Sequence, residues 1–418
     1  MKIGIVGGGA SGVFAAIRIK ELHPNYDVVI FERNNKLLKK IYATGNGRCN
    51  FANSDPIEGA YSNDFAYPIL KEFDHNKINE YFDSIGIKSR KLDNLFYPYS
   101  LSAATVAEKL IDKINQLKID VVLDAKVDSY NDQKEISVNG KKYKFDALVF
   151  ACGGKSSPQF GTDGNVYSLL EVHGYKIEKL SPSLCPIKTK ENVNKLDGVR
   201  AKAKVTLFDK NKEVYSEDGE VQFRSDALSG IVIFNIAFMI NKLNLQTNTT
   251  TIKIDFVPEV EKDIKKEEYN SYLNEKLSSY LIKNNIDIHN TVFTYKSFYN
   301  FDISHVSSGG VSLDEISSNL ESKKEKGIFF VGEVLDIDAK CGGYNLMWAF
   351  ASAEKVAKSL WLSNTIITHI LRDAVMQKAK MKNTFWELFK MATKFWDSLT
   401  MLCFLALFKK VSEETMSY

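Results

Sequence analysis

The chain has 418 residues, 44% of them hydrophobic and 26% charged, with a formal net charge of +3. That length accommodates two or three domains around a large core, and the composition is globular rather than disordered or fibrous. The small net charge neither requires nor excludes a polyanionic partner. Five scattered cysteines (Cys49, Cys152, Cys185, Cys341, Cys403) with no C-x-x-C pair argue against a disulfide framework or a zinc centre.

"KIGIV" at the start is a short apolar, β-branched run that ends in glycines, which predicts a buried parallel strand. "ASGVFAAIRIKEL" follows with helical spacing, and "DVVIFE" is a second buried strand, completing a βαβ unit. Gly7, Gly9 and Gly12 form G-x-G-x-x-G between the first strand and the helix, and Glu32 ends the second strand. Gly7 permits the tight turn, Gly9 lets the backbone approach a pyrophosphate, and Gly12 allows close helix–strand packing. The helix start offers free N–H groups to phosphate, and Glu32 accepts ribose hydroxyls while repelling a 2′-phosphate. Adenine-dinucleotide binding follows from all these parts in register.

Next comes the loop "YATGNGRCN" behind a lysine-rich run. Lys36, Lys39, Lys40 and Arg48 stand there without an intervening acid, so Arg48 can pair with the pyrophosphate while Asn46 and Gly47 approach it. A single helix is expected around Pro68–Ile85, then another over "VAEKLIDKINQL", and strands at "IDVVL" and "DALVFACGG". From about Ser181 the texture changes. "KAKVTLFDKNKEVYSEDGEVQF" alternates around a turn as a hairpin does, and "IVIFNIAFMINKL" predicts a buried helix. The early style returns with "HVSSGGVSLDEI" and the glycine-ended strand "GIFFVGEVLD".

The division expected is therefore 1–180 and 301–358 for the two parts of a Rossmann-like α/β cofactor domain, with 181–300 inserted as a β-rich, barrel-like substrate domain with helices. The tail, 359–418, reads as amphipathic helix that packs on the body or meets a partner or membrane surface. The longest apolar run, "LTMLCFLALF", is too short for a span, and the opening residues carry no leader pattern. A cytoplasmic location without a transmembrane segment is the expectation. The six histidines show no metal-ligand spacing.

Two late glycine-ended strands after one dinucleotide motif resemble the two-dinucleotide-binding-motif flavoproteins, where an acid after the second strand's glycine reaches the ribityl chain; Glu333 holds that position. No second G-x-G-x-x-G is present, so NAD(P)H would dock only transiently, as electron donor. "IYATGNGRCN", "SPQFGTDGNVYSL", "SSGGVSLDEI" and "GIFFVGEVLDIDAKCGGYNLMWAFASA" closely resemble the BaiN/RdsA-like family of FAD-dependent oxidoreductases, also called the aminoacetone oxidase family, over about residues 1 to 358. The resemblance implies FAD contacts at Gly9, Ala10, Ser11, Gly12, Glu32, Lys39, Gly47, Arg48, Cys49, Gly153, Gly332, Glu333, Asn345 and Leu346. The tail has no counterpart in that pattern.

Members of that family are associated with reduction of an enone, reduction of a ribosomal RNA uridine to dihydrouridine, and oxidation of aminoacetone. The first two add hydride to one carbon and a proton to the other, which calls for a general acid. Cys341, beside Gly342–Gly343, is the first candidate donor and Cys49 the second, against the plain reading of a small packed thiol. An FAD-dependent reductase of large-subunit ribosomal RNA uridine leads. A small-molecule flavoenzyme (enone reductase or aminoacetone oxidase) and a non-catalytic flavin-binding interaction protein stand as alternatives.

Overall fold

The computed structural model describes residues 1–260 and 263–362. Met1–Ser359 form one compact unit and Leu360–Tyr418 a second. The expectation for the tail lies outside the described residues beyond Leu362. Among the described residues no helix is long and apolar enough to cross a membrane.

The first strand β1 (Lys2–Val6) runs into helix α1 (Ala10–Leu22), and β2 (Asp27–Phe31) returns beside β1. Helices α2 (Ala66–Glu72), α3 (His75–Ser84) and α4 (Ala103–Gln116) precede β3 (Asp120–Val122) and β4 (Ala147–Phe150), and α5 (Asn165–Val172) follows. The single helix expected at 68–85 is two. Phe73 leaves helical geometry at φ −141°, and the Asp74 carboxylate accepts from Lys77 N at 3.0 Å, capping a new helix.

The chain then runs out along β5 (Ile177–Ser183) into β6 (Ile187–Thr189), β7 (Arg200–Asp209), β8 (Lys212–Arg224) and β9 (Ala227–Ser229). Helix α6 (Ile231–Lys242), β10 (Thr250–Asp255), α7 (Glu275–Lys283) and β11 (Thr291–Phe298) follow. It returns along β12 (Val306–Val311) to β13 (Ile328–Phe330) and α8 (Tyr344–Leu362).

Strands β13, β4, β1, β2 and β3 lie in that order in a wholly parallel sheet. Both faces are covered, so strands such as β1 are apolar at successive positions rather than alternating, and Ile3, Ile5, Ile30, Val149 and Phe330 are completely buried. Phe14 of α1 meets Phe350 of α8 with ring centroids 5.0 Å apart, joining the two helices that flank the sheet. The middle of the chain closes a barrel in the order β6–β9–β8–β7–β10–β11. Here alternation governs: β7 and β8 pair from Arg200↔Gln222 to Asp209↔Lys212 and turn one side chain in two toward a core of Val205, Leu207, Val221 and Phe223. Helix α6 packs on that core and is apolar on nearly every face, as a buried helix must be. The antiparallel pair β5–β12 connects barrel and sheet.

Candidate functional site

At the carboxyl ends of β1 and β4 a single cavity of about 1760 Å³ opens, and it continues to the barrel. Its first wall is the turn from β1 into α1. Gly7 has φ +110°, and a Cβ there would strike the Ala151 carbonyl oxygen. A Cβ on Gly12 would collide with the carbonyl oxygen of Gly7, whereas one on Gly9 would meet nothing within 4 Å and would project into free space. The first intrahelical bond is Val13 N to Gly9 O at 3.0 Å, so the N–H groups of Ala10, Ser11 and Gly12 precede the ladder at the positive end of α1. Glu32 directly follows β2 and is 7% exposed. One of its oxygens accepts from Gly8 N at 2.7 Å, the other from Asn34 N at 2.8 Å and Asn34 Nδ2 at 2.6 Å.

The loop behind β2 folds as an irregular 3-10 segment, Ile41–Gly47, with Gly45 and Asn46 in left-handed conformation. Lys39 and Arg48 line the cavity, as do Gly153, Glu333, Asn345 and Leu346. Gly12, Gly47 and Gly332 do not line it; they shape the backbone around it. Cys49 does not line it either. Its side chain is fully buried, and burial pushes its thiol up to about 12. Glu333 accepts from Ser307 N at 2.8 Å and pairs with Lys40 Nζ at 3.1 Å, an ion pair spanning the loop and the end of β13.

Cys341 lines the barrel side of the cavity, and Asn345 holds the backbone two residues before it: the Asn345 Oδ1 accepts from Ala339 N at 3.0 Å and its Nδ2 donates to Ala339 O at 2.9 Å. Burial and then the charge of Glu217 push the Cys341 thiol up to about 12, so it is protonated at neutral pH. Three further residues on this wall escaped the sequence reading. Asn235 of α6 accepts from Cys341 N at 2.9 Å and donates to both oxygens of Glu217 at 2.9 and 3.0 Å. Tyr215 donates to Glu217 at 2.7 Å. A signal existed: Tyr215 and Glu217 are two apart on one strand face, and Asn235 is an amide set among apolar residues in mid-helix. His305 also lines the cavity, its ring edge-on to Phe234 at 5.0 Å.

Among the described residues one set, Asp132, His173 and Glu325, has the spacing to hold a metal ion. It is already satisfied. The His173 ring bonds Glu325 at 3.2 Å and the Tyr130 carbonyl at 3.1 Å, and the second Glu325 oxygen accepts from Tyr130 and Tyr175, each at 2.8 Å.

Residues 1–359 match the family model described as the HI0933-like protein Rossmann domain. The 3-dehydro-bile acid delta(4,6)-reductase of Clostridium scindens is 31% identical over 396 residues, covering 84% of this chain and 97% of that protein. The ribosomal RNA dihydrouridine synthases of Haemophilus influenzae and Escherichia coli are 26% and 24% identical, each alignment covering 85% of this chain and 97% of the relative. The residues present fit FAD: the side-chain-free surface at Gly9, the helix start beyond it and the acid following β2 border one long cavity. The chain belongs to the HI0933-like Rossmann family and is an FAD-dependent oxidoreductase.

Proposed function

We propose that this oxidoreductase reduces a carbon–carbon double bond conjugated to a carbonyl, with a uridine of large-subunit ribosomal RNA as leading substrate and a transiently docked nicotinamide as electron donor. The observation that carries the reading is that two kinds of relative, a delta(4,6)-reductase and dihydrouridine synthases, align with this chain over 97% of their own length. Forming dihydrouridine saturates the uracil C5=C6 bond, so the two named reactions are one chemistry on different molecules. A second reading, a small-molecule enone reductase, draws on the higher identity to the bile acid enzyme and on apolar groups at the cavity, Phe234 and the 66%-exposed Ile231.

Bound FAD supplies the hydride chemistry. Around it, the N–H groups of Ala10, Ser11 and Gly12 and the charge of Arg48 receive the pyrophosphate, and Glu32 faces the adenosine ribose. Lys39, Gly153, Glu333, Asn345 and Leu346 complete the cofactor wall, and Lys40 holds Glu333 in place. Gly7, Gly12, Gly47 and Gly332 serve by the backbone geometry they allow. Cys341 gives its thiol proton to the carbon that does not receive hydride and regains a proton from water. The barrel and α6, between residues 181 and 300, form the substrate side. The stretch 359–418 is proposed as a partner- or surface-contacting extension, and the protein as cytoplasmic.

The test begins anaerobically, with NADH or NADPH added to the purified yellow protein. Bleaching of the flavin absorbance, followed by loss of dihydrouridine from ribosomal RNA in a strain lacking the gene, is the expected result. An unbleached flavin points to an oxidase reduced by its own substrate. Bleaching with unchanged dihydrouridine moves the assignment to the small-molecule enone.

A further inference from the structure

Three polar side chains of the cavity are committed to the protein. Glu333 is held by Ser307 and Lys40, Asn345 by Ala339, and Asn235 by Cys341 and Glu217. His305 differs from these. Its backbone is fixed, with the N–H donating to Leu184 O at 3.2 Å just before β12, yet neither ring nitrogen has a hydrogen-bond partner among the described residues. The ring lines the cavity and is accessible there, packed edge-on against Phe234 of α6.

We propose that His305 is a catalytic residue that donates a hydrogen bond to the carbonyl oxygen of the substrate, the oxygen conjugated to the bond being reduced. This rests on the reductase reading above. As hydride arrives at the far carbon, the π electrons move toward the carbonyl and negative charge grows on its oxygen. A donor aimed at that oxygen from a fixed frame lowers the barrier without losing its own proton, which stays on the ring. The proton for the other carbon comes separately, from Cys341. The state of the ring suits the role: desolvation by the cavity walls around it and then the nearby Lys40 charge hold its pKa below the ordinary value, which favours the uncharged imidazole at neutral pH. One of its nitrogens then carries the N–H needed to donate. The Phe234 edge and the backbone anchor restrict where that N–H points.

Two substitutions test it in the FAD-loaded full chain. His305→Phe keeps a ring of similar size and removes the donor, while His305→Gln keeps a donor. The probes are a 3-oxo-4-ene steroid and a short uridine-containing RNA, each with a 13C-labelled carbonyl. With whichever probe the wild type reduces, His305→Phe is expected to lower kcat by about a hundredfold, with bound FAD unchanged and KM little affected, and His305→Gln to restore part of the loss. The infrared stretch of the bound carbonyl should lie at lower frequency in wild type and His305→Gln than in His305→Phe. Wild-type turnover in His305→Phe, or an unshifted carbonyl in the active wild type, overturns the assignment and leaves the reductase reading standing. A wild type that reduces neither probe overturns that reading and this one with it.

Discussion

Asp338 is 1% exposed, and neither of its carboxyl oxygens finds a hydrogen-bond partner among the described residues. Burial raises its pKa from the ordinary 3.8 to about 7, helped by the charges of Asp336 and Glu333. Between these two values the folded chain keeps a proton that the unfolded chain releases. Stability therefore falls as pH rises through that window and levels off above it, a loss of roughly 4 kcal/mol. Asp338→Asn should raise the thermal midpoint more at pH 8 than at pH 5, where only part of the loss has set in; equal shifts at both would contradict this origin. Three residues on, Cys341 carries the other residue-scale prediction. Cys341→Ala should keep the yellow colour and lose turnover by about a hundredfold or more, and turnover within a few-fold of wild type would remove it as donor. Cys49, sealed away from the cavity, makes the control: Cys49→Ala should turn over normally wherever it folds.

Two elements meet the cofactor and substrate sides through contacts that leave little room. At α1, any side chain on residue 12 must displace the Gly7 carbonyl, a backbone atom on the turn that shapes the phosphate wall. Gly12→Ala should cost about 1–3 kcal/mol by overpacking, and it should release flavin on gel filtration. At α6, Asn235→Ala would leave the Cys341 N–H without its acceptor and Glu217 without two of its hydrogen bonds. A cost of about 1–3 kcal/mol is expected, and deuterium exchange should quicken in the peptide that contains Cys341 while the peptide of β1 is unaffected. The elements also show where sequence is a sufficient guide. The unit β1–α1–β2 was legible because its glycines, helix and acid lie within thirty-odd residues and each obeys a local rule. The break between α2 and α3 was equally local, written in the Asp74 cap, but it was hidden by a hydrophobic rhythm that runs on across it. The Tyr215–Glu217–Asn235–Cys341 chain was not legible in the same way, since it joins residues up to 106 positions apart and only the tertiary fold brings them together.

Across the whole molecule, fold class and family could be read because the sheet's motifs are stereotyped, while the barrel wall could not, because alternating strands specify a face but not what that face meets. The β5–β12 pair gives this scale its own consequence. The barrel is a continuous run of chain from Ile187 to Phe298, joined by antiparallel neighbours close in sequence. The parallel sheet instead borrows its edge strand β13 from residues 328–330, and the cavity borrows Asn345 and Leu346 from still later. During synthesis, then, the middle of the protein is ready to close before its beginning is. Local pairings form fast and distant parallel ones slowly. A nascent chain halted after residue 300 would carry a finished barrel beside a four-stranded sheet with an open apolar edge, unable to hold its cofactor, and flavin would enter only after the later cavity residues, up to Ala349, had arrived.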